Sequence, residues 1–438
     1  MLAALCATVL VAAAPSAPSP TPEPQAITLS LNQAIARGLS ANLQYRQAEE
    51  SVAAATAQLK QARAPQLPSI ALQDTYAHTT PVVSFTLPLP PPAGPITISQ
   101  GLENANNPRA TLQYLLFDGG RTASQVGQTA ANLAAVAAQQ RAAADSTVQT
   151  VANGYYQLLE ARRLAEVADE AVRVDQAHVK QAQQFLSAGT VARTDVLRAE
   201  TTLSNDQAAA IRAHNAADLA EASLDSALDY PIGTHLVLTD SIAATAPEIS
   251  LETLLSAAHA NRGELQAAKF AIDAARAAVV VARSGYVPSI ALQASEGQEQ
   301  PQLTTGFHGQ LILALNAVWT LYDHGLTAGR IQQAQSQVRT AELAFQAVEQ
   351  NVDLQVRQAY LNLQAARSNV EAAQRTVAFA EENRRLAEER YKAGVGTAIE
   401  IADAQLQATL AEQSLVTALA DQQIALVNAR YAAGLLGR

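Results

Sequence analysis

The same hexapeptide, PSIALQ, occurs twice in the chain, at Pro68 to Gln73 and again at Pro288 to Gln293. The segments before it also match, because LSLNQAIARGLSANLQ from Leu29 resembles ISLETLLSAAHANRGELQ from Ile249. Each hexapeptide follows a long alanine-rich stretch that favours a helix. A chain with the same helix-to-strand junction at two places, 220 residues apart, is predicted to contain two copies of one structural unit.

Further matches follow the hexapeptide in both halves, with an offset of 205 residues. In order, they pair LLFDGGRTA (115–123) with TLYDHGLTA (320–328), GYYQLLEAR (154–162) with AYLNLQAAR (359–367), and LSAGTVARTDVLRAE (186–200) with KAGVGTAIEIADAQ (392–405). Because Gly, Asp and Tyr recur in the same order, chance similarity among alanine-rich helices is the less favoured explanation. We predict a first repeat at 29–235 and a second at 236–438, each with a helix, a strand pair, a long helix and a further helix.

Residues 1–28, before the first repeat, are predicted to be a leader and a proline-rich spacer, because an apolar run is followed there by small residues. No Lys or Arg precedes the apolar run, so one interpretation is that translation starts further upstream. Cys6 is the only cysteine of the chain, and its early position after Leu5 argues against lipidation. A chain with one cysteine can form neither an internal disulfide framework nor a cysteine-based metal site.

The composition favours long helices and argues against a nucleic-acid partner. The net charge is −10 and the pI is near 5.2, whereas a nucleic-acid-binding protein would present a basic face. Charged residues make up 16% and aromatic residues 4% of the chain, and alanine is abundant. Alanine together with Gln, Glu, Arg and Leu suits helices that pack closely against one another.

Two very long helices are predicted, at 123–187 and 328–392. Small and apolar residues in the second follow steps of three and four, as in a coiled-coil seam, and no proline interrupts it. About 65 residues at ~1.5 Å each make a rod of roughly 100 Å. Shorter helices, stacked end to end in pairs, would match one rod in length; they are predicted at Leu31–Ala64, Thr194–Leu228, Leu251–Ser284 and Ile399–Tyr431.

The segments between these helices alternate as strands do. The stretch QLILALNAVWTLYD places one set of apolar side chains on a single face, which we predict to face lipid: Leu311, Leu313, Leu315 and Trp319. Residues 111–116 alternate in the same way, so each repeat carries one strand pair, close to the ~9–11 residues of a tilted membrane strand. The joining loops, the proline-rich 79–100 and the shorter 295–306, are expected to be exposed and mobile.

Four strands per chain have a consequence for assembly. No run after the leader reaches the ~18 apolar residues of a membrane-spanning helix, so membrane insertion would require strands. Four strands cannot close a barrel, and open edges are not tolerated in lipid. Two subunits would give a barrel of eight strands filled by side chains, and three would give twelve with room for a lumen. The sequence therefore predicts a trimer.

The tandem order of these motifs resembles the TolC-type outer-membrane efflux family over residues 29–437. Each short motif is weak alone, and the specificity lies in the complete order. The resemblance implies a mainly α fold with a small β part: a homotrimer with a twelve-stranded outer-membrane β-barrel, four strands per chain, continued by a long periplasmic α-helical barrel. It also implies an exit duct for drug efflux or type I secretion, in the outer membrane of a Gram-negative bacterium, with an inner-membrane transporter and a periplasmic adaptor as partners.

The resemblance assigns the helix-hairpin turns to periplasmic tips that contact the adaptor; the matching positions are Gly189, Thr190, Asp195, Tyr391 and Gly394. It also implies that Glu400 and Asp403 form the narrowest point, as rings of three carboxylates in a trimer. Their spacing places both on one helix face, and such rings would attract cations. A simpler interpretation is an ordinary solvated helix face. Gly396 stands where the family has a basic residue that holds the closed tip, so the resemblance does not say how this chain would hold its tip closed.

Other functions find little support. The seven histidines have no metal-ligand spacing, and no nucleophile motif or phosphate-binding loop is present, so we expect neither an enzyme nor a cofactor. The alternative is a periplasmic helical adaptor or structural coiled coil without a membrane barrel. Such a protein would share the long helices but would need neither the strand pairs nor a leader. A trimer that leaves membranes only in detergent would favour the duct, and release by osmotic shock would favour the adaptor.

Overall fold

A computed structural model describes residues 27–100, 103–242, 247–299 and 308–436 of the chain. Almost all of the predicted leader, including Cys6, and most of the 295–306 loop lie outside these residues. The helices are α1 Leu31–Ala41, α2 Leu43–Arg63, α3 Arg121–Ser187, α4 Arg193–Ala227, α5 Leu251–Asn261, α6 Gly263–Arg283, α7 Leu326–Lys392 and α8 Ala398–Ala432. The strands are β1 Ile27–Leu29, β2 Ser69–His78, β3 Val83–Leu87, β4 Ile96–Gln100, β5 Asn104–Phe117, β6 Leu236–Leu238, β7 Ser289–Glu299 and β8 His308–Val318.

The element bounds confirm the two-repeat plan. Helices α1 and α2 begin 220 residues before α5 and α6, and α3 and α4 begin 205 residues before α7 and α8. The long helices α3 and α7 have 67 residues each and begin two residues earlier than predicted. The boundary at 235/236 stays a prediction; β6, just after it, pairs in parallel with β1 of the first repeat.

The predicted helices Leu31–Ala64 and Leu251–Ser284 are wrong in one respect, because each is divided in two. Asn42 and Arg262, at equivalent positions of the repeats, leave the helical conformation with ψ angles of 125° and 122°. The Asn42 side chain accepts hydrogen bonds from the amides of Gln44 and Tyr45 and so caps α2. The amphipathic pattern continues across both breaks, which is why periodicity alone missed them.

Shorter helices pack along the long ones as expected. Helix α3 packs against α2 and α4, and α7 packs against α6 and α8. Each repeat has an apolar cluster at an equivalent place: Tyr155, Leu158 and Leu224 join α3 to α4 in the first, and Val356, Leu363 and Leu265 join α7 to α6 in the second. Elsewhere the buried residues are mostly alanines, which allow helices to approach closely. None of the helices in the described part of the chain has an apolar stretch long enough to cross a membrane.

The strand pairs of the two repeats join into one antiparallel sheet with the order β2-β5-β7-β8. Two details differ from the predictions. Strand β8 ends at Val318, so Trp319 lies just beyond the strand. The first loop is not irregular throughout, because β3 and β4 pair within it as an antiparallel hairpin. Its sequence VSFTL does alternate, but the surrounding prolines obscured that signal.

Candidate functional site: the sheet faces and the helical tips

The register of the sheet places apolar side chains on one face. Leu72 pairs with Ala110 across β2 and β5, and Leu292 pairs with Leu315 across β7 and β8. The predicted lipid-facing side chains on β8 are widely exposed: Leu311 66%, Leu313 69% and Leu315 66%. On β2, Ile70 and Leu72 are 73% and 86% exposed on the same face. A soluble monomer rarely exposes so much contiguous apolar surface.

The other face of the sheet is polar. Gln73 pairs with Arg109, Gln113 with Gln293, and Asn316 with Ala291. Asn316 donates a hydrogen bond from Nδ2 to Gln293 Oε1 at 3.3 Å. A depression of about 400 Å³ on this face is lined by polar groups that include Gln73, Thr75, Asn107 and Arg109. The sheet therefore has one face suited to lipid and one suited to water.

Trp319 follows the last residue of β8 and is 58% exposed. Its Nε1 donates a hydrogen bond to the Tyr286 carbonyl at 3.1 Å. The apolar ring of the indole is therefore exposed, while its N–H group is hydrogen-bonded at the helix-to-strand junction. Aromatic side chains with these two properties suit the boundary between lipid and water.

The two helix-hairpin turns share one backbone geometry. Gly189 and Gly394 have φ angles of +73° and +76°, in the left-handed region where a side chain is strained. The next amides, of Thr190 and Val395, donate to the carbonyls of Phe185 and Arg390 at 3.0 Å. This pattern is a Schellman cap, so both predicted tip glycines end a long helix and reverse the chain.

Asp195 and Tyr391, predicted from different turns, lie together in the structure. Both line a small cavity of about 40 Å³ between the four helices of the hairpins, just inside the tips. The Tyr391 ring packs against Phe185 with a centroid separation of 5.6 Å. Burial raises the pKa of the Tyr391 hydroxyl, and the negative charge of Asp195 raises it further. Phe185 was missed in the sequence because only its position four residues before a turn glycine marks it.

Glu400 lies in the first turn of α8 and Asp403 follows three residues later, and both are exposed. The Glu400 amide donates to the capping hydroxyl of Thr397 at 3.2 Å. Its carboxylate lies 3.6 Å from Arg390 Nε on α7. An acidic group at the start of a helix is also favoured by the helix dipole. The basic residue beside Glu400 thus lies on α7 of the same hairpin, at Arg390.

Gly396 has a packing role that explains the missing side chain. A Cβ atom there would lie 2.8 Å from the Tyr391 amide nitrogen and 3.0 Å from the Arg390 carbonyl carbon. The backbone of the turn therefore folds tightly onto the end of α7. Val191 occupies the equivalent position of the first turn, so the two tips are built differently.

The model of a protein family described as outer membrane efflux protein matches residues 34–229 and 254–435. These segments include both hairpins and all four strands of the sheet. The chain belongs to this family. It is an exit duct of the outer membrane, of the kind used in efflux or type I secretion. The two matched segments correspond to the two repeats.

Relatives and solved structures agree with this assignment. This chain is 27% identical to Protein CyaE of Bordetella pertussis, over 94% of this chain and 85% of that protein. It is 26% identical to the outer membrane efflux protein BepC of Brucella suis, over 78% of each chain. A membrane protein of Pseudomonas aeruginosa has the same fold, with a TM-score of 0.78 over 92% of this chain and 93% of that one at 20% identity.

A groove runs between the two hairpins of this efflux protein. It has a volume of about 930 Å³ and is lined from α3, α4, α7 and α8, with alanine as the most frequent lining residue. Glu160 and Asp421 are its acidic groups. Burial raises the pKa of the Glu160 carboxyl, a hydrogen bond from Thr417 lowers it, and Asp421 raises it. The alanine lining leaves room for a further helix to approach the groove closely.

A buried acidic pair in the first hairpin was also missed in the sequence. Asp175 on α3 is 4% exposed and shares a hydrogen bond with Asp206 on α4. Burial raises the pKa of the Asp175 carboxyl to about 7, and the charge of Asp206 contributes. The two acids are separated by 31 positions in the sequence, so no local motif marks the pair.

Metal binding has no structural counterpart in the described residues, where no group of three or more His, Cys, Asp or Glu side chains is placed to hold an ion. Of the scattered histidines, two contact acidic side chains and a third is half-buried. His214 lies 3.0 Å from Asp169 and His259 lies 2.7 Å from Asp353. Burial lowers the pKa of His178, the third.

Proposed function

We propose that three copies of this chain share one twelve-stranded barrel in the outer membrane and continue it as an α-helical barrel through the periplasm. The observation that carries the proposal is the four-stranded sheet with one apolar and one polar face. Within the described residues, β2 pairs only with β5, and β8 pairs only with β7. Lipid does not tolerate such open edges, so β2 of one copy must pair with β8 of the next.

The number three follows from barrel size. Two copies would contribute eight strands, whose interior is filled by side chains. Three copies contribute twelve, and the polar face with Gln73, Gln113 and Gln293 would then line a water-filled lumen. The apolar face would contact the outer-membrane lipid through Leu311, Leu313 and Leu315, with Trp319 at the boundary.

Lipid contact is tested by a pair of neighbouring substitutions on β8. Leu313→Arg should cost about 2–4 kcal/mol of folding stability if the side chain meets the bilayer midplane. Ala314→Arg, on the lumen face, is the matched control and should cost much less. The measurement is the thermal stability of the assembled protein in detergent and in lipid vesicles. Equal losses for both variants would contradict the assigned faces.

The acidic residues of α8 support a cation-selective constriction. Glu400 and Asp403 are exposed on one face, and three copies would bring six carboxylates around the axis. Arg390 lies near Glu400, so Asp403 should contribute the larger part of the field. Such a ring favours cations over anions.

Planar-bilayer recordings test the duct and the constriction together. The proposed protein forms stable channels that prefer cations over anions. The double variant Glu400→Gln with Asp403→Asn should lose most of this preference, whereas Glu400→Asp with Asp403→Glu should keep it. Channels with unchanged selectivity in the first variant would remove these residues from the constriction. A protein that forms no channels at all would contradict the duct.

The tips and the groove support docking of a periplasmic adaptor that links the duct to an inner-membrane transporter. Gly189, Thr190, Asp195, Tyr391 and Gly394 lie at the end of the helices remote from the sheet. The alanine-lined groove, about 930 Å³ in volume, could receive partner helices without displacing large side chains. Both features are in the part of the chain that the proposal places in the periplasm.

A tryptophan at the tip tests this docking. Gly394→Trp should abolish export in cells while the trimer stays intact. Gly120→Trp is a matched control, because Gly120 also has a positive φ, +82°, and open space around it, but lies beside the sheet. Normal export by the Gly394 variant would contradict adaptor contact at the second tip.

A further inference from the structure

The β3–β4 hairpin carries an apolar face without a partner. Its register pairs Phe85 with Ile98 and Leu87 with Ile96, and Val83 lies on the same face. All five side chains of this face are widely exposed: Val83 65%, Phe85 60%, Leu87 41%, Ile96 49% and Ile98 53%. The opposite face carries hydroxyls, where Thr86 Oγ1 lies 3.1 Å from Thr97 Oγ1. The hairpin is therefore amphipathic, although β3 and β4 make close contact mainly with each other.

The segment from 79 to 100 contains no Asp, Glu, Lys or Arg, in a chain in which 16% of residues are charged. An isolated two-stranded hairpin is only marginally stable in water, and an apolar patch of a few hundred Å² normally marks a contact surface. The absence of charge removes any electrostatic attraction to an ionic partner or to charged lipid headgroups. The face is therefore suited to another uncharged apolar surface.

A polar collar separates this hairpin from the apolar face of the sheet. Strand β2 begins next to the helices and ends at His78, so the far end of the sheet leads into the hairpin. At that end, on β2 and β5, the face that carries Leu72 changes to polar side chains: Asp74, His78, Asn104 and Asn106. Tyr76 and His78 both contact Asn104 Oδ1 at 2.8 Å. A hairpin beyond such a collar lies in water, past the part of the sheet that suits lipid.

We propose that the three hairpins of the trimer pack their apolar faces against one another over the outer mouth of the barrel, forming a closure separate from the tips. This inference rests on the proposed trimer. Five residues in a strand span about 17 Å, and twelve strands about 4.8 Å apart, tilted by about 40°, enclose a radius of roughly 12 Å. A hairpin that leans inward from the rim therefore reaches the threefold axis, where the partner faces converge.

Cysteine cross-linking tests the contact in the assembled protein. Phe85→Cys and Ile98→Cys probe the apolar face, and Thr86→Cys, next to Phe85 on the hydroxyl face, is the matched control. Cys6, the only native cysteine, is replaced by Ser. A disulfide joins chains in pairs, so up to two of three subunits should migrate as a covalent dimer after mild oxidation. We expect more than half of the chains to be linked in the apolar-face variants and less than a tenth in the control.

Two results would overturn the inference. One is equal linking in the apolar-face and control variants. The other is a lack of linking in the apolar-face variants. A blue-shifted emission, in lipid vesicles, of a polarity-sensitive dye attached to the thiol of the Phe85→Cys variant would then assign the face to the bilayer. The mass of the same samples in detergent separates this inference from the proposed function. An unlinked trimer contradicts only the hairpin closure, whereas a monomer contradicts the shared barrel as well.

Discussion

The two repeats have helices of identical length but differ in what they place at equivalent positions. The α3–α4 hairpin buries Asp175 against Asp206, and the α7–α8 hairpin has Ala380 and Ala411 at those positions. The helix break is capped by a half-buried Asn42 in one repeat and contains the buried Arg262 in the other. The backbone plan is therefore duplicated, whereas the polar interactions that hold it differ between the copies.

Substitutions at the two equivalent helix breaks are expected to differ most in their cost in folding stability. Arg262 is 4% exposed and donates to Gln355 Oε1 at 2.7 Å and to the Tyr431 carbonyl at 3.1 Å, with its guanidinium 4.8 Å from the Tyr431 ring. Arg262→Met should lower the free energy of unfolding by about 2–4 kcal/mol, because buried acceptors lose their donor. Asn42→Ala, its equivalent, should cost about 1 kcal/mol as a lost helix cap. Thermal denaturation in detergent measures both, and equal costs would remove the proposed asymmetry.

Substitutions at the equivalent tyrosines of the two apolar clusters have the second-largest expected difference in stability. Tyr155 is fully buried, and its hydroxyl donates to the Leu29 carbonyl at 3.1 Å and lies 2.9 Å from Asp240 Oδ2. Burial raises its pKa to about 12, and the hydrogen bond to Asp240 adds to the shift. Tyr155→Phe should cost about 1–3 kcal/mol, since it removes the hydrogen bonds from the buried hydroxyl to the Leu29 carbonyl and to the charged Asp240 carboxylate.

Tyr360 is the matched control for this substitution. It is half-buried, and its hydroxyl accepts a hydrogen bond from Gln364 one helical turn away. Tyr360→Phe should change stability by less than about 0.5 kcal/mol. A loss of stability at Tyr360 as large as that at Tyr155 would contradict a stabilising role of the buried Tyr155 hydroxyl.

The acidic pair gives the smallest effect, visible only as a pH dependence. The folded pKa of Asp175, about 7, lies above its usual value of 3.8. The stabilisation is therefore complete below pH 4 and is lost as the pH rises towards 7 and the folded carboxyl loses its proton. Replacing Asp175 and Asp206 by Ala, as in the second hairpin, should flatten the stability profile between pH 5 and 8 by about 1 kcal/mol.

His178 lines the same small cavity as Asp175 and has the opposite effect on the pH dependence of stability. Burial lowers its pKa, so its contribution to stability is lost as the pH falls. Glu388, Lys392 and Arg384 on α7 also influence it. Both proteins retain His178, so the difference between the wild type and the double variant isolates the acidic pair. An unchanged difference between pH 5 and 8 would contradict a shared proton.

The sequence predicted the parts of this fold that depend on local pattern. The repeat, the two long helices, the alternation of Leu311 to Leu315 and the turn glycines all follow from spacing or backbone preference. The parts it missed depend on tertiary partners. Arg262 leaves the helix in order to reach Tyr431, 169 residues away, and Tyr391 meets Phe185 across two hairpins.

In the candidate site, too, the features set by local backbone preference were predictable and those set by tertiary packing were not. The positions of Gly189 and Gly394 were predictable, because a reversed helix end favours a positive φ. The role of Gly396 was not, because only the folded turn shows that a Cβ would meet the backbone of Arg390 and Tyr391. The proximity of Arg390 to Glu400 likewise depends on how α7 and α8 pack.

The central claim is that one chain cannot close its own sheet and that three chains share one barrel. The most direct test is the mass of the detergent-solubilised protein after removal of bound detergent, by native mass spectrometry. The account predicts a single species of three chains that persists at low concentration. A stable monomer, or a dimer with an eight-stranded barrel, would contradict it.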